Sequence, residues 1–123
     1  MDKWAEFNNG SFKLLNLGRP AVFFVPTKKF KHRKGIQIRQ DLHLFLITQF
    51  GAYSTSLTPS FGFWRDTSKV MTTDECAVYE VSFAGKEKIP ILMRKLAELA
   101  LRIEEECIYL KTGQYSCLVY PRN

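Results

Sequence analysis

Leu92, Leu96, Leu99 and Ile103 recur at spacings of four, three and four residues. At 3.6 residues per turn these side chains form one stripe along a helix, while Lys95, Glu98, Arg102 and Glu105 take the opposite face. Pro90 suits the first turn of that helix, where its missing N–H costs nothing. A helix of this length is marginal by itself and needs an apolar surface to lie on. The rest of the chain must therefore supply such a surface.

The material for it is strand-like. Ala21-Val22-Phe23-Phe24-Val25 is a β-branched and aromatic run enclosed by Pro20 and Pro26, and it predicts a buried strand. Cys76 to Phe83 alternates as a half-buried antiparallel strand does. Tyr53 to Trp64, interrupted by Pro59, reads as one irregular strand or two half-strands, and Asp66 to Lys69 as a turn. Cys107 to Leu110 and Ser116 to Tyr120 read as strands about the turn Thr112-Gly113-Gln114. A first helix begins near Ile38, where Leu42, Phe45, Leu46 and Phe50 follow the helical repeat; Asp41 lies near its start and Gly51 stops it. Phe12 to Leu17, after the Asn8-Asn9-Gly10 turn signal, reads as an edge strand.

The resulting order, β-α-β-β-α-β, is that of an α+β, ferredoxin-like sandwich: an antiparallel sheet with two helices on one face. Residues 1–123 are expected to form a single domain, with 20–121 as the core and 1–19 as an N-terminal extension or an extra strand. The other sheet face must be solvated or covered by another copy of the chain, and its Phe, Tyr and Trp content favours a homo-oligomer.

Composition sets bounds on function. No apolar run approaches the roughly twenty residues of a membrane span, and Met-Asp-Lys-Trp-Ala-Glu at the start has no apolar core of a secretory signal. Cys76, Cys107 and Cys117 are odd in number, lie in apolar strand-like contexts and form no CxxC pair, so reduced core thiols in a cytoplasm are expected rather than a disulfide framework or metal site. There is no phosphate-cradling glycine loop, HExxH or GxSxG. With only His32 and His43, a histidine triad is not expected either, and nothing implies a cofactor.

The net charge of +6 is concentrated at one end: residues 1–40 carry nine Lys/Arg against two acids, residues 41–123 nine against ten. Lys28, Lys29, Lys31, Arg33 and Lys34 fall within seven residues around Phe30 and His32. One reading is a solvated loop spanning Lys28 to Gly35; the other is a contact for nucleic acid or an acidic protein, as in a non-enzymatic inhibitor or counter-defence module.

A second group of residues gathers polar and aromatic capability around the central hairpin. It comprises Tyr53, Gly62-Phe63-Trp64-Arg65-Asp66 and Thr73-Asp74-Glu75. With Gly51-Ala52-Tyr53, Glu106-Cys107-Ile108-Tyr109 and Leu118-Val119-Tyr120, these segments resemble, over residues 21–121, the small phage-encoded S-adenosylmethionine lyases and related small bacterial domains. The resemblance implies a ferredoxin-like trimer with a nucleoside-like ligand bound between subunits. It implies Glu75 as the catalytic, ligand-contacting carboxylate and Asp74, Tyr53 and Arg65 as further ligand contacts. Trp64, eleven positions before Glu75, stands where that family has a site tyrosine. An indole N–H replaces the phenolic oxygen there, while stacking on a purine and contact with a sulfonium remain open to it. The reaction implied is attack of the substrate's own carboxylate on its γ-carbon with expulsion of methylthioadenosine, which explains how an enzyme could work without a triad. Cleavage and simple binding of the ligand both remain open on the residues alone.

Overall fold

Strand β1 (Arg19–Pro26) forms where the proline-bounded apolar run predicts it, with Ala21, Phe23 and Val25 fully buried. The computed structural model describes residues 4–30, 33–56, 59–65 and 71–122, with Lys29, Arg33 and Thr72 described by backbone only. The remaining elements are α1 (Arg33–Phe50), β2 (Ser54–Thr55), β3 (Ser60–Arg65), β4 (Met71–Phe83), α2 (Lys88–Arg102), β5 (Ile108–Thr112) and β6 (Tyr115–Val119). All strand pairs are antiparallel in the order β2-β4-β1-β5-β6, with β3 also on β4. The architecture is the α+β, ferredoxin-like one expected.

The irregular middle strand resolves into two halves on one edge of β4. Ser54 pairs with Glu80 and Ser60 with Cys76, so six steps on this side face four on β4. At the break, the Ser56 N–H donates to the Val78 carbonyl at 3.0 Å, and the Val78 N–H donates to Ser56 Oγ at 3.1 Å. A hydroxyl thus takes the place of a ladder carbonyl where the register slips. The two-residue Gly113-Gln114 turn closes β5 onto β6, and Gly113 takes the positive φ (59°) such a turn needs. The turn expected at Asp66 to Lys69 lies outside the described residues.

The core lies between helices and sheet. Leu92, Leu96 and Leu99 of α2 and Ile38, Leu42 and Leu46 of α1 meet Phe23, Tyr79, Val81 and Ile108 from the sheet. The Phe23 and Tyr79 rings stack at 5.2 Å. Helix α1 starts five residues before the expected position and takes in Arg33, Lys34 and Gly35, so the basic segment is not one loop. Its beginning is a 3-10 turn (Thr27–Phe30) whose Phe30 is buried. Asp41 consequently sits mid-helix, where Arg102 and Lys95 of α2 bind its carboxylate and hold its pKa below the ordinary value.

The strand expected over Phe12 to Leu17 does not form, and residues 4–18 are an extension. The sheet's edges are β6 on one side and β2 with β3 on the other, and this segment pairs with neither. Asparagine side chains also take the local donors: Asn9 Oδ1 accepts from Ser11 N–H, Asn8 Oδ1 from Leu14 N–H and Asn16 Oδ1 from Gly18 N–H.

Helix α2 ends in a Schellman turn. The Glu105 N–H donates to the Ala100 carbonyl at 2.9 Å and the Glu104 N–H to the Leu101 carbonyl at 3.2 Å. The residue this motif places in the left-handed region is Glu104 (φ 58°), not glycine. A side chain there costs on the order of 1 kcal/mol. Glu104→Gly is therefore expected to stabilise the domain by roughly 0.5 to 1 kcal/mol, seen as a higher urea midpoint at unchanged slope. An unchanged or lowered midpoint would mean that the strain is not there.

Candidate functional site

Strand alternation sends Phe24 and Pro26 of β1, Asp74 and Cys76 of β4, Tyr109 of β5 and Leu118 of β6 to the sheet face opposite the helices. A cavity of about 560 Å³ opens on this face. Its wall is completed by Gly62, Phe63, Trp64 and Arg65 of β3, by Tyr120, and by Glu105, Glu106 and Cys107 from the turn after α2. Volumes of this size suit a small organic ligand.

The geometry at its acidic wall follows from register. Gly62 lies directly opposite Asp74, so no side chain covers the carboxylate from across the strand. Trp64, two pairs further along on the same face, lies diagonal to Asp74, and its indole Nε1 donates to Asp74 Oδ2 at 3.0 Å. On the opposite wall Phe24 and Tyr109 meet edge to face at 5.4 Å. The cavity thus offers aromatic surfaces, an orientated carboxylate and two further acids.

Burial disfavours the thiolate form of its two thiols, Cys76 and Cys107, while Cys117, expected in the core, is exposed. Burial pushes Cys76 up to about 11, helped by the negative charges of Asp74, Glu105 and Glu75. Cys107 is raised by burial as well, against a lowering hydrogen bond with Tyr120. Both are thiols at neutral pH and form part of the lining. Among the described residues no group of three or more His, Cys, Asp or Glu side chains is placed to hold a metal ion. Nor, among them, is any helix long and apolar enough to cross a membrane.

Two solved structures match the chain in shape. One is a phage SAM lyase in complex with S-methyl-5′-thioadenosine, with TM-score 0.64, 14% identity, and 89% of this chain and 94% of that one covered. The chain has the fold of a phage S-adenosylmethionine lyase. A phage SAM lyase in its apo state superposes with TM-score 0.57 and 14% identity over 91% of this chain and 97% of that one. No family model and no curated protein matches the sequence.

On this lyase fold the residues singled out in the sequence separate into three places. Trp64 and Asp74 come together at the cavity; Arg65 borders it, but its pairing with Met71 puts its side chain on the same face as that of Glu75. Glu75 is one step from Asp74 and hence on the helix-side face; its carbonyl accepts from Thr27 Oγ1 at 3.1 Å, and its side chain does not line the cavity. Tyr53 lies at the other end of β4, with its hydroxyl 2.7 Å from His43 Nδ1, beside a separate hollow of about 490 Å³. Of the basic set, Lys28 and Lys34 are exposed and belong to different elements; Lys31 and the side chains of Lys29 and Arg33 lie outside the described residues.

Sequence reading missed Phe24, Tyr109, Glu105, Glu106 and Tyr120 as wall residues. The signal was parity: with Phe23 and Val25 assigned to the core, Phe24 must face the other way.

Proposed function

We propose that the open-face cavity binds a nucleoside-like ligand of the S-adenosylmethionine class, and that the chain acts on it as a lyase. The observation carrying this reading is the hydrogen-bonded Trp64–Asp74 pair in an aromatic cavity of nucleoside size, on the lyase fold. Trp64, Phe24 and Tyr109 provide faces for a purine and for a sulfonium centre. Asp74, Glu105 and Glu106 supply acceptors for ribose hydroxyls and the ligand ammonium; Arg65, like Glu75, reaches a ligand only from a second copy. Within one chain Asp74 is thus the ligand-contacting carboxylate. Glu75 contributes only if a second copy brings its helix-side edge to the cavity.

The chemistry asks little of the protein. The substrate carboxylate attacks its own γ-carbon, the carbon–oxygen bond forms as the carbon–sulfur bond breaks, and the electron pair leaves with sulfur as neutral methylthioadenosine. The two charges annihilate and no proton moves. Orientation and exclusion of water are therefore what the walls supply. Aromatic side chains exposed around the cavity, Phe63 and Tyr120 among them, favour a homo-oligomer that closes it.

The test is thermal unfolding with S-adenosylmethionine, S-methyl-5′-thioadenosine or short nucleic acids, with chromatography of the S-adenosylmethionine sample. At ~100 times its dissociation constant a ligand adds about 2.7 kcal/mol, an evident rise in midpoint. A rise with both nucleosides and enzyme-dependent methylthioadenosine is expected. A rise without turnover would leave a binder. Stabilisation by nucleic acid alone would replace this reading with the basic interaction module.

A further inference from the structure

The charged side chains that face the cavity all carry one sign. Asp74 comes from β4, and Glu105 and Glu106 from the turn after α2. Arg65 borders the cavity, but its pairing with Met71 sends its side chain to the other face of the sheet. Among the described residues no Lys, Arg or His side chain faces into it. In a chain of net charge +6 such a wall is a local arrangement and not an average of the composition. The field reaches the lining thiols: after burial, the charges of Asp74, Glu105 and Glu75 raise Cys76, and those of Glu106 and Glu105 raise Cys107. Asp74 meets a neutral donor, the Trp64 indole, so that hydrogen bond orients the carboxylate without cancelling its charge.

Resting on the nucleoside reading of this cavity, we infer that it prefers a sulfonium nucleoside whose side chain ends in an ammonium and lacks a carboxylate, and that it holds this ligand uncleaved. S-adenosylmethionine brings a sulfonium and an ammonium, both suited to acidic and aromatic walls. It also brings a carboxylate that no wall residue of one chain meets. Setting that group beside Asp74, Glu105 and Glu106 costs affinity, because like charges repel and a desolvated charge needs a partner. The decarboxylated form, with its propylammonium side chain, keeps both cations and removes the mismatch. Its ammonium has no free electron pair to attack the carbon next to sulfur, so the carbon–sulfur bond stays intact. For S-adenosylmethionine the same walls leave the carboxylate nearest its own sulfonium, beside the carbon it attacks. The feature that weakens binding thus suits the reaction.

The test is calorimetric titration of the intact chain with decarboxylated S-adenosylmethionine, S-adenosylhomocysteine, decarboxylated S-adenosylhomocysteine and S-methyl-5′-thioadenosine. None of these joins a carboxylate to a sulfonium, so none can react and all affinities are equilibrium ones. Decarboxylated S-adenosylhomocysteine is expected to bind at least about tenfold more tightly than S-adenosylhomocysteine, and the decarboxylated sulfonium more tightly still. Both advantages are expected to shrink as salt is raised. Glu106→Gln, at an exposed position, is expected to weaken the decarboxylated sulfonium at least about threefold more than it weakens S-methyl-5′-thioadenosine. Equal or tighter binding of S-adenosylhomocysteine than of its decarboxylated form would show that a cation, such as Arg65 of a second copy, meets the carboxylate. Equal losses for the two ligands in Glu106→Gln, or methylthioadenosine released from the decarboxylated sulfonium, would also overturn the inference. In each of those cases binding of S-methyl-5′-thioadenosine leaves the nucleoside reading standing. Failure of all four ligands to bind would remove that reading and the inference together.

Discussion

Leu96→Ala is expected to cost about 3 to 4 kcal/mol, the largest stability effect of any single truncation in α2. Leu96 is fully buried at the centre of the stripe, between Leu92 and Leu99, where α2 meets both the sheet and α1. Removing its branched end takes away transfer free energy and leaves a cavity that neighbours held by the sheet cannot collapse into. In a domain whose whole stability is on the order of 5 to 15 kcal/mol, such a loss lowers the unfolding midpoint by roughly 10 °C or more. Leu101→Ala provides the contrast. The same change in the same helix, at an exposed side chain, is expected to stay within about 0.5 kcal/mol. Urea titration of the two variants checks both; equal losses would mean that the stripe is not the core face.

How far the fold could be read in the sequence depends on what kind of signal each element carries. Periodicity and prolines are local, so α2, β1 and the broken strand at Pro59 were legible. The first helix was placed late because Lys28 to Gly35 has no apolar repeat. The leading strand failed because strand propensity means little where asparagine side chains take the local backbone donors.

The site shows the same division. The β3–β4 hairpin was legible as a polar and aromatic concentration, and Trp64 and Asp74 do meet there. The acidic turn after α2 and the aromatic wall of β1 and β5 come from distant parts of the chain and converge only through sheet order. The choice between Asp74 and Glu75 was open to a stricter reading. Tyr79, Val81 and Phe83 face the core, and stepping back by twos places Glu75 with them and Asp74 on the open face.

Loss of Asp74 is expected to have the largest effect on ligand binding. Asp74→Ala removes the carboxylate that faces the cavity and the acceptor that fixes the Trp64 indole, so both a polar contact and an aromatic wall lose their position. A hydrogen bond to a charged group contributes about 1.5 to 3 kcal/mol, which corresponds to an affinity loss of roughly ten- to a hundredfold. The chain holds two tryptophans, Trp4 and Trp64, and Trp4→Phe leaves Trp64 as the only indole reporter. The most direct measurement is therefore the emission of Trp64 in that variant as S-methyl-5′-thioadenosine is added, with and without Asp74→Ala. A saturable change in emission, shifted to at least about tenfold higher ligand concentration by Asp74→Ala, is the expected result. Saturable binding detected by calorimetry with Trp64 emission unchanged, or with equal affinity in the Asp74→Ala variant, would place the ligand elsewhere and contradict the assignment of the cavity.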